Sequence, residues 1–186
     1  MSMLTVYNLD ASPVSSTTHD HAAIRELLDQ AGVLFEQWDT LSGHAQPSMS
    51  DESILEAYSD QTARLKKRYG FQSADVIHMQ ADHPQKEAIR ARFLSEHTHS
   101  DFEVRFFVEG RGLFYLRNGD QVYALLCEKG DLISVPAGMP HWFDMGSQPH
   151  LSCIRLFTDE AGWVAAYTGT PYCKNFPDLD QTLQET

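Results

Sequence analysis

Apolar residues recur with helical spacing over roughly the first ninety positions and in short strand-like runs beyond them. In HDHAAIRELLDQAGVLFEQWD, the residues Ile24, Leu27, Leu28, Ala31, Leu34 and Phe35 form the stripe of an amphipathic helix, with Gly32 arguing against an unbroken run. After the loop LSGHAQPSMS, Ser50 caps a second helix, DESILEAYSDQTARLKKRY. Its acidic first turn and the Gly70 just past its end are ordinary start and stop signals. ADVIHMQ reads as a strand. DHPQKEAIRARFL reads as a short helix with Asp82 or His83 as cap and Pro84 in its first turn.

From Leu94 onward the runs FEVRFFVEG, GLFYLRNGDQVYALLCEKG, DLISVPAGMP, HWFDMG and LSCIRLF are separated by Gly, Asn-Gly and Pro. Asn118-Gly119 marks a two-residue hairpin, and strands of this length between such turns predict an antiparallel barrel or sandwich. The stretch after Trp163 is irregular, and FPDLDQTLQET reads as a loose end. The expectation is a mainly β domain with accessory α over 1–186. Positions 1–93 form a mostly helical elaboration packed outside, 94–160 the β-barrel core and 161–186 a C-terminal segment.

Charge narrows the choice of partners. With 14 basic against 26 acidic residues the net charge is −12, which repels phosphate backbones, so no nucleic acid is expected. The one basic cluster, RLKKRYG at Arg64–Gly70, fits the last turn of a helix, where cations complement the dipole. No apolar run approaches the roughly 20 residues that span a bilayer, so no membrane partner is expected. MSMLTVYNLDASP lacks the basic and apolar regions of a signal peptide, and a cytoplasmic monomer is the expectation. Cys127, Cys153 and Cys173 are odd in number and widely spaced, which predicts reduced thiols rather than a disulfide framework or a zinc pattern.

The chemistry lies in EHTHSDFEVRFFVEG. On a regular strand His97, His99, Glu103, Arg105 and Phe107 would share one face, and a pair of neutral imidazoles with a carboxylate is a donor set for divalent first-row metals. The alternative is an exposed edge that chelates nothing. A second stretch, GDLISVPAGMPHWF, uses Pro136 and Gly138 to force a tight reversal that launches His141 onto a new strand.

Together the two stretches resemble the cupin superfamily. Its first motif, H-x-H-x3–4-E-x6-G, is met by His97, His99, Glu103 and Gly110. Its second, G-x5-P-x-G-x2-H, is met by Gly130, Pro136, Gly138 and His141. Ala91 and Met145 stand where the pattern often has glycine and asparagine. The resemblance implies a double-stranded β-helix, or jelly-roll, with a three-His, one-Glu metal site.

Within the cupins, EHTHSDFEVRFFVEGRGLFYLR, PAGMPHWFDMG and IRLFTDEAGWVAAYTG are similar to the acireductone dioxygenases of methionine salvage, and the likeness extends across most of the chain. It implies a dioxygenase acting on 1,2-dihydroxy-3-keto-5-methylthiopentene and O2 with one Fe(II) or Ni(II) per chain. With iron the expected products are 2-keto-4-methylthiobutyrate and formate; with nickel, methylthiopropionate, formate and CO. Another metal-dependent cupin enzyme, or a non-catalytic ligand-binding cupin, is the alternative. Arg105, on the face of the ligands and permanently charged, is expected to stabilise the substrate dianion. The resemblance further implies Phe93, Phe143 and Trp163 as pocket aromatics and Glu96 as an aid to metal uptake. Phe102 stands where the family usually has an aspartate that relays conformational change. The remaining histidines, His19, His21, His44, His78, His83 and His150, have no ligand spacing and are expected at the surface or as caps.

Overall fold

One strand organises the chain. In a computed structural model, which describes residues 1–40, 49–159 and 164–184, strand β5 (Glu103–Asn118) runs through both sheets of the molecule. Its first half pairs antiparallel with β7 (Asp131–Val135) on one side and β9 (Leu151–Phe157) on the other. Its second half pairs with β6 (Gln121–Glu128) and β8 (His141–Asp144). The change of sheet falls at Gly110, beside a register shift between Phe107 and Glu109. Gly110 has φ +74°, and a Cβ there would lie 1.8 Å from the carbonyl oxygen of His150. Only glycine can make this crossing.

The first sheet continues outward as β1 (Met3–Asn8) on β6, and as β4 (His97–Thr98) and β10 (Ala166–Tyr167) beyond β8. The second adds β2 (Leu34–Gln37) on β7 and β3 (Ser73–Met79) on β9. Between them lies a core that includes Phe107, Phe114, Leu125, Ile133, Val135, Phe143, Leu151 and Cys153. The mainly β cupin expectation holds.

Several local expectations change. The first amphipathic run is not one helix: α1 (His21–Gln30) stops where Gly32 takes φ +79°. The amide of Val33 donates to the carbonyl of Leu28 and that of Gly32 to Asp29, which is a Schellman ending, so Leu34 and Phe35 belong to β2. The second run breaks at Tyr58 into α2 (Asp51–Ala57) and α3 (Ser59–Tyr69). Tyr58 is fully buried against Phe106, and tertiary packing overrides the helical periodicity there. Ser50 does cap α2, and Gly70 closes α3 in the left-handed region. Helix α4 (Lys86–Phe93) has Gln85 at its N-cap without a side-chain cap, so neither Asp82 nor His83 serves and Pro84 lies before the helix. With β1 and β2 added, the region before position 93 is less helical than its pattern suggests.

The C-terminal segment is not a loose end. Asp178 and Gln181 form a reciprocal capping box, each accepting the other's amide, at the start of α5 (Leu179–Gln184). Phe176 packs at 5.4 Å from the Trp142 ring, and Leu179 is buried. Asp144, fully buried, accepts the amides of Leu179 and Gly146 and a forked pair of bonds from Arg90 of α4 at 2.6 and 2.9 Å. Burial pushes the Asp144 carboxyl up, but Arg90 and the two amides more than offset this, leaving it below its ordinary value. One buried carboxylate thus ties α4 and α5 to β8.

Replacing Gly110 by alanine should lower unfolding free energy by about 2–4 kcal/mol in denaturant titrations, since both strain and overlap follow. The folded Asp144 carboxyl is depressed, so its contribution to stability is present above the unfolded value of 3.8 and is lost as pH falls through the folded one. Asp144→Asn should therefore flatten the acid limb of a stability-versus-pH curve as well as lower its plateau.

Candidate metal centre

His97 and His141 are direct partners across β4 and β8, with ring centroids 4.5 Å apart. Their Nδ1 atoms lie 2.7 and 2.8 Å from the carbonyls of Ser95 and Met139. A carbonyl only accepts, so each ring carries its proton on Nδ1 and turns the Nε2 lone pair inward. The two sequence motifs are joined directly as well: the amide of Gly138 donates to the His99 carbonyl at 2.8 Å.

The segment from His97 to Glu103 is not a continuous strand. β4 ends at Thr98 and β5 starts at Glu103. Asp101 builds the break: one of its oxygens accepts the Phe102 amide, and the other accepts those of Thr158 and Asp159 beyond β9. The turn delivers Glu103 from the second sheet to histidines held by the first. Its Oε2 lies 3.0 Å from Nε2 of His99 and 3.0 Å from Nε2 of His141. Two donors about 2.1 Å from one ion, at right angles, stand about 3 Å apart. One donor atom from each of His97, His99, Glu103 and His141 lies within 4.8 Å of the others, and all four residues are buried. The donor set fits a divalent ion.

Electrostatics prepare these groups. Burial, reinforced by the neighbouring His141, lowers the His97 ring to about 4, so it is neutral and ready to coordinate at physiological pH. Burial would raise Glu103, but Arg105 and the two histidines hold it well below the usual carboxylate range. Arg105 donates from Nε to Glu103 Oε1 at 2.7 Å. Its guanidinium lies 5.2 Å from the Phe143 ring centroid and 5.6 Å from that of Phe93. Glu103 therefore gives one oxygen to Arg105 and the other to the ligand cluster.

A cavity of about 490 Å³ opens onto His97, His99, Glu103 and Arg105. Phe93 and Phe143 line it with Ile77, Met79, Ile89 and Leu151. Trp163 lies outside the described residues. Glu96 accepts forked bonds from Arg117 at 2.8 and 3.0 Å and hydroxyl bonds from Thr168 and Thr170 at 2.6 and 2.7 Å. This carboxylate fastens the strand of His97 to the return of the chain after β10, and it contributes nothing to the cavity wall. Phe102 is about a third exposed and meets Phe71 edge-on at 6.2 Å, outside the ligand cluster. Sequence reasoning missed Tyr167, which packs on the His97 ring at 6.0 Å, and the bridging role of Asp101. Alternation gives no sign of either, because both contacts join segments distant in sequence.

A double-sheet jelly roll that brings three imidazoles and one carboxylate from its two motifs into a buried cluster defines a metal-binding cupin. Comparison with known proteins narrows the class. The description "ARD/ARD' family" belongs to a sequence model that matches residues 7–165. The chain is 55% identical over 185 residues to the acireductone dioxygenase of Methylococcus capsulatus, covering 99% of this chain and 98% of that protein. It is 48% identical over 183 residues to that of Aquifex aeolicus, covering 98% and 99%. A solved acireductone dioxygenase from Bacillus anthracis, with a cadmium ion in its active center, matches with a TM-score of 0.80 at 31% identity, covering 90% of this chain and 98% of that one. This chain belongs to the ARD/ARD' family.

Removing one imaginary corner of the cluster should empty it. His141→Ala should weaken metal retention by a hundredfold or more, to about trace content after dialysis, with circular dichroism unchanged. Glu96→Gln should keep the metal content but lower stability by about 2–4 kcal/mol, because it leaves the Arg117 cation in its partly buried site without a carboxylate. Metal analysis alongside thermal melts separates the two outcomes.

Proposed function

We propose that the protein is a metal-dependent dioxygenase that cleaves acireductone, the methylthio-substituted ene-diol of methionine salvage, with O2. The observation that carries this reading is the division of Glu103 between the ligand cluster and Arg105 at the base of a largely apolar cavity. Fe(II) or Ni(II), held by His97, His99, Glu103 and His141, would supply open coordination positions and Lewis-acid activation of the bound ene-diolate toward O2. The protein's own residues do the remainder.

Arg105 cannot lose its proton, and burial strengthens its field, so it stabilises the negative charge of the ene-diolate beside the ligands. Its place is fixed by Glu103 below and the faces of Phe93 and Phe143 beside it. Ile77, Met79, Ile89, Phe93, Phe143 and Leu151 offer an apolar wall to the methylthio tail and exclude water from the reacting carbons. His97 and His141 keep their Nδ1 protons on backbone carbonyls and so present fixed lone pairs throughout turnover.

The iron-loaded protein then yields 2-keto-4-methylthiobutyrate and formate, and the nickel-loaded protein methylthiopropionate, formate and CO. Net charge of −12 favours a soluble monomer, and a cytoplasmic location belongs to the same reading. O2 uptake with enzymatically generated acireductone is the direct test: metal-loaded protein should exceed the spontaneous rate, and a rate no higher than that background rejects the reading. Arg105→Met should lower kcat about a hundredfold with metal content retained. Trapped CO should appear with nickel and not with iron.

A further inference from the structure

The cavity carries more positive charge than the ligand cluster needs. Its charged lining residues besides the histidines are Glu103, Arg92, Arg105 and Arg155, three guanidiniums against one carboxylate, in a chain with 14 basic and 26 acidic residues. Glu103 and Arg105 already form a pair. The two remaining guanidiniums of the lining are Arg92 on α4 and Arg155 on β9.

Strand register locates Arg155. It stands directly opposite Arg105 across β5 and β9, and opposite Asp75 across β9 and β3. Residues directly opposite on paired strands share a face, so Asp75, Arg155 and Arg105 form one row on the cavity side of the second sheet. Both cations act on the same buried thiol, Cys153, and work against the rise that burial imposes on it. Two like charges side by side in a partly buried wall repel unless each is compensated. Glu103 does this for Arg105, and Asp75 for Arg155 through bonds from Nε at 2.9 Å and from the terminal nitrogen at 2.5 Å. With a side-chain exposure of 25%, Arg155 meets solvent more than Arg105, which is at 5%. The Phe157 ring, 5.1 Å from its guanidinium carbon, gives that carbon further support.

We propose that Arg155, oriented by Asp75, is a second substrate-recognition cation. It captures the anionic oxygens of the ligand at the cavity mouth and passes them to Arg105, with Arg92 adding to the local field. An acidic chain repels an anionic substrate at long range, and clustered cations in a low-dielectric cleft reverse that sign locally. Such a cation acts on binding and association rather than on the chemical step. The inference rests on the acireductone reading of the same site.

The test has two arms on the metal-loaded protein. In steady-state kinetics with acireductone, Arg155→Gln should raise KM about five- to tenfold with kcat within about twofold, and kcat/KM should lose most of its dependence on ionic strength. Arg155→Lys should recover part of the loss, and Asp75→Asn should raise KM about two- to threefold by freeing the guanidinium. Lys67→Gln, an exposed cation on α3, serves as the control and should match the parent protein. In the second arm, oxalate, a dianion that is not turned over, is titrated anaerobically by calorimetry, and its Kd should rise in Arg155→Gln by a factor similar to that in KM. A purely structural role would lower the melting temperature and leave the salt dependence alone. Parent-like KM, oxalate affinity and salt slope in Arg155→Gln overturn the proposal even if acireductone is consumed. Loss of oxalate affinity in the variant, when the parent does not turn over acireductone, upholds the cation and rejects the substrate. Should Arg155→Gln fail to fold, Arg155→Lys and Asp75→Asn carry the same comparison.

Discussion

A buried carboxylate cannot stay ionised unless something answers its charge, and at Glu103 two things do. Arg105 takes one oxygen, and the other meets two imidazole nitrogens at 3.0 Å each. Everything around the site keeps that division in place. Phe93 and Phe143 fix Arg105 from beside it, and Asp101 shapes the turn that aims Glu103. Ser95 and Met139 set the histidine tautomers through their carbonyls. Removing any one of these leaves a charge or a donor in the wrong place inside a low-dielectric interior, where such errors are costly.

The architecture explains how groups so far apart in the chain meet. His97 and His141 belong to the first sheet, while Glu103 and Arg105 belong to the second. Because β5 passes from one sheet to the other at Gly110, the two sheets form a single hydrogen-bonded body, and a site spanning them has a fixed geometry. The same construction gives the cavity its asymmetry. The ligand end is buried and polar, the walls are largely apolar, and guanidiniums of β9 and α4 complete the lining. Two further carboxylates brace the frame: Glu96 ties β4 to the chain after β10, and Asp144 ties α4 and α5 to β8.

Much of this was legible in the residues. The runs between Glu103 and Phe157 appear as strands near their expected limits, because the turn residues that bound them have backbone requirements few others meet. Gly119 takes φ +60° as the first residue of the hairpin turn, with Asn118 still paired to Gln121, one step from the simplest reading of Asn-Gly. The ligand set was legible for a similar reason: a bound ion demands particular side chains at fixed spacing. What was misread depends on partners elsewhere. Leu34 and Phe35 continue a helical stripe, yet they pair with Ser134 and Ile133 of a strand about a hundred positions away. The capping box at Asp178 was written in the sequence, but its worth depends on the apolar seat that Phe176 and Leu179 find beneath it.

By itself, the order of residues determined the type of fold, the four ligand candidates, the charged group beside them and the family resemblance, since each rests on local backbone rules or on donor chemistry. Tertiary structure alone decided that Glu96 pairs with Arg117 and with threonines after β10, that the stretch from His97 to Glu103 is broken by Asp101, and that Arg155 stands beside Arg105. Alternation along one strand says which side chains share a face. It carries no information about which neighbouring strand lies opposite or in what register, and that pairing places charges next to one another in a buried wall.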